Sequence, residues 1–404
     1  MKNSRNFRYV VSLVTAGIVL LSLACRGPIN VQDGGSGPPF GGGDPNVATN
    51  SPVKHLIVVV FQNRSFDHLF GKYTPPTGQT VNVANSGSLG WTQTNASGAS
   101  VSPTLLPDPN SPDLVHNHAA YLDSYNNGSM DGFAKAEGDQ SMGFFDSTTM
   151  GVSTFYNYAS QFALADNYFS SAMTSAPAQM FYAVSATDNE VFFSTQPVYG
   201  PCNQADSAAT PNTSPNVGDQ MIQKNIGWTW FHEAYGQCGN YVPQQNPFQY
   251  FTSTQNSDHI QDLTVFYSQL QTGKTPSVSF IQMAPTHSGH PGSSSITSAA
   301  NWLDQFVKQV QAAASWNDTA IIVVWDEGGG WYDHVPPPQL DSQGLGIRVP
   351  MMVISPLAKK GIVYHNLADH TSILKFIQWN WGMTSLNSRN SNSQIDDLRG
   401  MFTF

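Results

Sequence analysis

The stretch Val58-Val-Val-Phe-Gln-Asn-Arg-Ser-Phe-Asp-His-Leu-Phe-Gly71 decides the fold. It continues the run Leu56–Val60, which is apolar, largely β-branched and without alternation, and this pattern predicts a strand buried on both faces of a parallel sheet. From residue 62 onward the sequence turns abruptly polar. In open α/β sheets, ligands bind beyond the carboxyl ends of the strands, so this turn is a candidate site. A turn whose polar groups only cap the next helix is the alternative.

A second buried strand is followed by an even more polar turn. Ala320–Trp325 is again apolar and β-branched, and it leads into Asp326-Glu-Gly-Gly-Gly-Trp-Tyr-Asp-His-Val335. Two adjacent carboxylates repel each other unless a cation lies between them, and glycines let the backbone approach a ligand closely. We therefore expect a metal site here, with a solvated acidic turn as the alternative.

Strands and helices alternate along the rest of the chain, which is the pattern of βαβ units and a parallel sheet. Residues 74–111 are polar and without period, and they predict a long excursion near the site. Helical spacing is found in these ranges: Phe155–Ala165, Asp219–Lys224, Leu263–Leu270 and Trp302–Val310. Further strands are predicted at Trp228–Phe231, Ser277–Ile281 and Val349–Ser355.

The composition limits the partners of the chain. It has 404 residues, a formal net charge of -10 and only 17 lysines and arginines, which are scattered singly. No basic patch is available for nucleic acid, so polyanion binding is excluded as a function class. Phosphate on a small substrate is still compatible, because a metal or a helix N-terminus can bind it.

The N-terminus predicts export. Lys2, Arg5 and Arg8 precede the apolar run Tyr9–Leu21, and residues 1–25 therefore read as a secretory signal. Cys25 resembles the lipid-attachment cysteine of a lipoprotein, and ordinary cleavage just before it is the alternative. Residues 26–51 are rich in glycine and proline and predict a flexible tether, which leaves 52–404 as the folded domain. We expect a periplasmic or outer-surface lipoprotein, or a secreted protein, with membrane contact only through Cys25.

The two remaining cysteines are Cys202 and Cys238. In an oxidising compartment they predict a disulfide. A metal site is the weaker interpretation, because no Cys-x-x-Cys spacing accompanies them.

Ser175 precedes a predicted helix. Pro177 suits the first turn of a helix, so Ser175 lies just before the helix begins. Its hydroxyl is either a simple cap or a group placed where unpaired N–H donors and the helix dipole stabilise a phosphoryl group.

Several motifs together resemble the bacterial phosphoesterase family of phospholipases C and acid phosphatases, and the match runs in order over nearly the whole mature chain. The segments that carry it are Gln62–Gly71, Asp113–His116, Met130–Phe133, Phe162–Phe169, Ser175–Ala178, His290–Pro291, Asp326–Val335, Arg348–Pro350, Ile354–Pro356 and Asp369–Ser372.

This resemblance implies a three-layer, alkaline-phosphatase-like α/β fold with a mostly parallel central sheet flanked by helices. It implies that Ser175 is the nucleophile and a metal ligand. The other implied metal ligands are Gln62, Asn63, Asp326 and Glu327. The resemblance also implies that four histidines line the site: His116, His290, His334 and His370.

The chain departs from the family pattern at two positions. Gln62 stands where the family usually has glutamate, which removes a charged metal ligand. Gly328 stands where the family commonly has histidine, which removes an imidazole near the phosphate.

The sequence therefore predicts an exported, metal-dependent phosphoric ester hydrolase with a phosphoserine intermediate. Because the proposed ligands offer only oxygen, one Mg²⁺, Ca²⁺ or Mn²⁺ ion is favoured over Zn²⁺. His290 or His334 would protonate the leaving group. An acid phosphatase-like monoesterase is favoured, because the chain ends soon after the core. The alternatives are a phospholipase C-type diesterase and a non-catalytic lipoprotein that binds a phosphorylated ligand.

Overall fold

An eight-stranded sheet lies at the centre of the protein. The computed structural model describes residues 44, 46–187, 197, 199–202, 210–255, 257–342 and 344–404. The strands of the central sheet are β1 (His55–Phe61), β2 (Ala163–Ala165), β3 (Trp228–His232), β4 (Ile260–Asp262), β5 (Val278–Gln282), β6 (Thr319–Trp325), β7 (Met351–Ile354) and β8 (Ile362–Tyr364).

The order of the strands across the sheet is β8-β2-β7-β6-β1-β5-β3-β4. Only β7 runs against its neighbours β6 and β2, and the other pairs are parallel. Every residue of β6, and all of β1 after its first residue, is buried. Because successive side chains of a strand point to opposite faces, both faces of the sheet must be covered. The predicted three-layer, mostly parallel α/β architecture is confirmed.

Helices supply these two covering layers. Within the described residues they are α1 (Phe66–Phe70), α2 (His118–Tyr125), α3 (Phe133–Ala136), α4 (Val152–Gln161), α5 (Ala176–Ser185), α6 (Val217–Gln223), α7 (Leu263–Gln271), α8 (Ile296–Gln311) and α9 (His370–Asn380). Helix α4 packs against α8, and α5 packs against both α9 and α6. Among these described helices, none is long and apolar enough to cross a membrane.

The register of the sheet places the two polar turns side by side. Strand β1 lies between β5 and β6, and Phe61 at its end pairs with Trp325 at the end of β6. The backbone N–H of Asp326 donates to the carbonyl of Phe61 at 3.0 Å. The residues that follow, 62 and 63 on one strand and 326 and 327 on the other, therefore meet at one edge of the sheet.

Two predicted elements differ in the structure. The helix predicted over 155–165 ends at Gln161, and Ala163–Ala165 forms the buried strand β2 between β7 and β8. Pairing with a strand on each side outweighs the helical spacing of these residues. Such pairing cannot be recognised from local sequence. The strand predicted over 349–355 is present as β7, although it is antiparallel.

The structure also tests several predictions outside the sheet. Cys202 and Cys238 form a disulfide, as predicted. The end of the predicted tether is docked, because Asn50 donates from its backbone N–H to the carbonyl of Asn380 at 2.8 Å. The predicted signal and Cys25 lie outside the described residues. The excursion over 74–111 contains three short strands. Gln93–Thr94 pairs with Ser100–Val101 inside the excursion, and Thr104–Leu105 pairs with Gly143–Phe144 outside it.

Candidate active site

Asn63 forms the turn that leaves β1. Its φ of 62° lies in the left-handed region, which is uncommon for a residue with a side chain. Its backbone N–H donates to Asp326 Oδ1 at 2.8 Å, and its side-chain Nδ2 donates to His116 Nε2 at 3.2 Å. His116 also has a positive φ, of 32°. Strained backbone of this kind is common at functional sites, where neighbouring contacts maintain it.

Asp326 and Glu327 are both buried directly after β6. Asp326 Oδ1 accepts from the backbone N–H groups of Asn63 and Glu327, and Glu327 Oε2 accepts from the N–H of Gly329 at 2.7 Å. Burial raises the pKa of Asp326 to about 7 despite these hydrogen bonds, and it raises the pKa of Glu327 well above its usual range. The protein therefore holds two carboxylates where their charged forms are unfavourable.

Two buried side-chain oxygens of Asn63, Asp326 and Glu327 have no hydrogen-bond partner among the described residues. They are Asn63 Oδ1 and Glu327 Oε1, and both are shielded from solvent. A buried oxygen without a donor costs free energy, of the order of 1–3 kcal/mol. An all-oxygen set with two buried carboxylates is the donor set that a hard divalent cation prefers. These residues therefore fit the metal ion predicted from the sequence.

Two histidines border this oxygen set. His116 Nε2 lies 3.7 Å from Glu327 Oε1, and its Nδ1 lies near the carbonyl of Leu114 and the carboxylate of Asp113. The His290 ring centroid is 6.2 Å from that of His116. Asp113, His116 and His290 each offer a ligand atom within 4.8 Å of the others. We call Asn63, Asp326, Glu327, His116 and His290 the edge site.

His370 supports the edge site from α9. It is fully buried, and its Nε2 donates to the carbonyl oxygen of Asp326 at 2.6 Å, while its Nδ1 accepts from the hydroxyl of Tyr168 at 3.1 Å. Burial lowers its pKa, so the ring is neutral with the proton on Nε2. His370 therefore fixes the backbone that presents Asp326.

Ser175 is the residue before α5, as predicted, but its side chain makes no capping hydrogen bond. The simple cap interpretation is therefore wrong. Its hydroxyl forms no hydrogen bond with any described residue, including the members of the edge site. The loop before it is tied to α9, because Ser171 Oγ accepts from the backbone N–H of His370.

His334 lies in a different group. Its Nδ1 donates to Asp67 Oδ2 at 2.6 Å, and its Nε2 faces Asn82 Oδ1 at 2.9 Å. Arg348, fully buried, binds Asp67 and Asp333 at 3.1 Å each. We call Asp67, Asp333, His334 and Arg348 the ion-pair cluster. No described hydrogen bond or ion pair connects His334 to the edge site.

The two departures from the family pattern have different structural settings. Gln62 is buried next to Asp326 at the sheet edge, and its backbone N–H donates to the carbonyl of Ser288. At Gly328, an added Cβ would lie 2.8 Å from Ile347 Cγ2, so a side chain there requires Ile347 to move. Ile347 thus occupies the space that a side chain at position 328 would need.

Two residues that contact this region were not predicted from the sequence. Glu137 accepts from the backbone N–H of His116 at 3.1 Å and helps hold its strained conformation. Arg64 is fully buried beside Asn63. The signal for Arg64 was its position inside the polar turn, whereas nothing local marks Glu137.

Curated proteins with similar sequences are named phospholipases C. The Non-hemolytic phospholipase C of Burkholderia pseudomallei is 26% identical over 394 residues, which cover 81% of this chain and 55% of that protein. The Non-hemolytic phospholipase C of Pseudomonas aeruginosa is 24% identical, with 87% and 57% covered. Phospholipase C A of Mycobacterium tuberculosis is 24% identical, with 98% and 84% covered. The chain thus spans little more than half the length of the first two relatives.

Among solved structures, a protein in the alkaline phosphatase superfamily from Vibrio parahaemolyticus is similar with a TM-score of 0.43 and 8% identity, covering 88% of this chain and 74% of that one. The sequence model of the Phosphoesterase family matches residues 53–384. That range includes β1, the edge site and α9. The chain therefore belongs to the Phosphoesterase family, as the resemblance of its motifs predicts.

Proposed function

We propose that this protein is a metal-dependent phosphoric ester hydrolase that forms a phosphoserine on Ser175. The observation that carries the proposal is the pair of orphaned oxygens, Asn63 Oδ1 and Glu327 Oε1, beside the buried carboxylate of Asp326. Stability alone would not favour such a group, whereas a divalent cation would satisfy it.

The proposed ligands are Asn63, Asp326 and Glu327, together with Ser175 and Gln62. Because all of them offer oxygen, we expect Mg²⁺, Ca²⁺ or Mn²⁺ before Zn²⁺. When bound, such an ion would lower the pKa of the serine hydroxyl and neutralise charge on the phosphoryl oxygens.

Ser175 is suited to be the nucleophile because its hydroxyl is not used as a helix cap. The first N–H groups of α5 have no partners within the helix, and they stabilise negative charge on a phosphoryl group placed there. Attack by Oγ forms the new P–O bond to serine and breaks the bond to the leaving alkoxide. With a monoester the product on serine is phosphoserine, and water releases phosphate from it. With a diester the serine-bound phosphorus keeps its second ester group, and water releases a phosphate monoester.

His290 is the best candidate for the general acid. Its Nδ1 donates to the carbonyl of Pro291 at 2.6 Å, and its Nε2 bonds to no described residue and can hold the proton for the leaving group. His334 and His370 use both ring nitrogens in hydrogen bonds. We assign His116 and His370 to positioning the ligand residues and the substrate, and this geometry favours His290 over His334.

For the substrate, we propose a phosphodiester of the phospholipase C type. The supporting observation is that the relatives described above are named phospholipases C. The phosphomonoester that the sequence favours is the second candidate. The Cys202–Cys238 disulfide supports export, since disulfides persist in oxidising compartments.

The deciding experiment is hydrolysis by wild type and Ser175→Ala, with a chromogenic phosphomonoester and a phosphocholine diester. We expect Ser175→Ala to lose activity by about 10³-fold or more, because a covalent mechanism cannot operate without its nucleophile. Acid quenching and mass spectrometry should find phosphate on the Ser175 peptide of wild type with the monoester and phosphocholine there with the diester. A chelator should abolish turnover until Mg²⁺, Ca²⁺ or Mn²⁺ is returned.

Ser295→Ala is the matched control. Ser295 caps α8 by accepting from the backbone N–H of Ser298, so its loss should cost about 1 kcal/mol of stability and leave phosphoserine formation intact. Near-wild-type hydrolysis by Ser175→Ala, or a tightly held zinc that survives dialysis on histidine ligands, would contradict the mechanism. Faster turnover of the monoester than of the diester would favour the second substrate.

A further inference from the structure

Arg64 is a buried cation without a direct ion pair in the described part of the chain, and Asp113 is near enough to act on it electrostatically. Its side chain is inaccessible to solvent, and it forms no ion pair with any residue that the structure describes. The guanidinium lies 5.7 Å from the ring centres of Phe145 and Trp331. Burial lowers the pKa of Arg64 to about 9, so the side chain is still protonated at neutral pH. A buried charge without a direct ion pair is unfavourable, and its retention beside Asn63 calls for an explanation.

The guanidinium is instead held by neutral acceptors from three segments. Nε and Nη2 both donate to the carbonyl of Gly289, at 3.2 and 2.9 Å. Nη1 donates to Ser111 Oγ at 2.6 Å and to His68 Nε2 at 3.0 Å. His68 Nδ1 donates to the carbonyl of Gly143 at 2.8 Å, which leaves its Nε2 as the acceptor that Arg64 requires.

Two of these acceptors, Gly289 and Ser111, precede the histidines of the edge site in the chain. Gly289 is bonded to His290, and Ser111 begins the loop that contains His116. The two loops are also joined directly, because the backbone N–H of Gly292 donates to the carbonyl of Ser111 at 2.8 Å. Arg64 itself follows Asn63 in the chain. One side chain thus connects the segments that carry the metal ligand Asn63 and the two histidines.

We propose that Arg64 is a positioning residue that fixes His290, and with it His116, relative to Asn63. The planar fork of arginine explains the choice of residue, since lysine cannot bind one carbonyl through two nitrogens and also reach two further acceptors. In the reaction, the proton on His290 Nε2 passes to the leaving oxygen as its bond to phosphorus breaks. A displaced Gly289 moves that proton away from the leaving oxygen, while the attack by Ser175 is unaffected. The inference rests on the proposed function.

The test is the dependence of Arg64→Lys on the leaving group. A nitrophenolate leaves without a proton, whereas an alkoxide needs one, and general acid catalysis contributes roughly 10²–10⁴-fold. We expect kcat of Arg64→Lys to fall by about 10–100-fold on an alkyl phosphate ester and by less than about threefold on the matching nitrophenyl ester. Metal affinity by calorimetry should be unchanged, because Asn63 keeps its contacts.

Ser111→Ala is a milder second variant if Arg64→Lys fails to fold. It removes one acceptor of the same guanidinium, and we expect a smaller loss that is again confined to the alkyl ester. Arg348→Lys is the matched control, since Arg348 is also fully buried but lies in the ion-pair cluster. It should lower stability and change both esters by the same factor.

The outcomes separate this inference from the proposed function. Equal losses of Arg64→Lys on both esters, or no loss on either, would overturn the positioning role while wild type still turns over. A wild-type protein that hydrolyses neither ester would overturn the proposed function and this inference with it.

Discussion

The edge site and the ion-pair cluster share residues from two segments of the chain, yet the carboxylates of the two groups have different partners. Segment 326–334 supplies carboxylates to both, whereas segment 62–68 supplies Asn63 to the edge site and Asp67 to the ion-pair cluster. In the ion-pair cluster, Arg348 binds Asp67 and Asp333 at 3.1 Å each, and His334 binds Asp67 at 2.6 Å. In the edge site, Asp326 and Glu327 accept hydrogen bonds from backbone N–H groups, but no lysine or arginine of the described chain pairs with them. Glu327 Oε1 has no hydrogen-bond partner there.

From this difference we expect the edge site, rather than the ion-pair cluster, to bind a cation. A buried carboxylate that already accepts from a guanidinium and from an imidazole N–H gains little from a further cation. A buried carboxylate pair with an orphaned oxygen gains much. Burial is common to both groups and does not distinguish them. The missing countercharge distinguishes the edge site.

The largest expected effect is an opposite response of the two groups to neutralisation, measured by urea unfolding at pH 8 with a chelator. Asp67→Asn should lower the free energy of unfolding by about 3 kcal/mol, since it breaks a buried ion pair with Arg348. Glu327→Gln should raise it by about 1 kcal/mol or more, because it removes the buried charge whose pKa is raised.

This prediction also has an arm with metal. With Mg²⁺, Ca²⁺ or Mn²⁺ present, Glu327→Gln should lose the stabilisation that wild type gains, whereas Asp67→Asn should keep it. Equal destabilisation by the two variants without metal would mean that the carboxylates are equivalent, and the comparison would fail.

The sequence could predict the edge site but could not separate it from the ion-pair cluster. Runs without alternation predicted β1 and β6, and parallel strands bring their carboxyl ends together, so Asn63, Asp326 and Glu327 were expected to meet. His334 follows the same turn and looks equivalent to His290 in sequence. Its assignment depends on contacts with Asp67 and Asn82, which are distant in the chain.

Burial of arginine was equally inaccessible to sequence. Arg64 and Arg348 are among the largest fully buried side chains, although arginine is usually exposed. Their roles depend on acceptors such as Gly289 and Asp333, which the chain brings together only on folding. Strand β2 was missed for the same reason, because its pairing partners are distant in sequence.

The second prediction sharpens the comparison by adding charge to the edge site. Gln62→Glu should tighten metal binding by about a hundredfold, since a charge within about 4 Å of the ion contributes a few kcal/mol at an effective dielectric of about 20. The rate at saturating metal should change much less. At saturation the tighter binding no longer matters, and a charged ligand only makes the bound ion somewhat less electrophilic. Calorimetry on metal-free protein, run beside hydrolysis, measures both quantities.

Gln282→Glu is the matched control for that variant. Gln282 is another buried glutamine, at the end of the neighbouring strand β5. A carboxylate there should lower stability without tightening metal binding. Unchanged affinity in Gln62→Glu would mean that position 62 does not face the ion, and equal tightening in both variants would mean that only net charge matters.

The smallest expected effect is the acid response of the ion-pair cluster. Burial alone would raise the pKa of Asp67, but Arg348 and His334 outweigh it and hold that pKa below its ordinary value. A carboxyl group with a depressed folded-state pKa stabilises the protein fully above its unfolded pKa of about 4. This contribution is lost as the pH falls further, and it amounts to about 1.4 kcal/mol for each tenfold difference in proton affinity between the folded and unfolded chains. Burial raises the pKa of Asp333 to about 6, so its contribution has the opposite sign and declines as the pH rises from about 4 to 6.

The two slopes can be separated with Asp67→Asn and Asp333→Asn, unfolded in urea between pH 3 and pH 7 without metal. The stability difference between wild type and Asp67→Asn should shrink below pH 4, since protonated Asp67 no longer attracts Arg348. The difference between wild type and Asp333→Asn should instead shrink as the pH rises from 4 to 6. A gap to Asp67→Asn that stays constant down to pH 3 would show that Asp67 titrates alike in the folded and unfolded chains. The ion pairs of Asp67 would then stabilise its charged form no more than water does in the unfolded chain. The contrast between a neutralised cluster and an edge site that lacks a countercharge would fail.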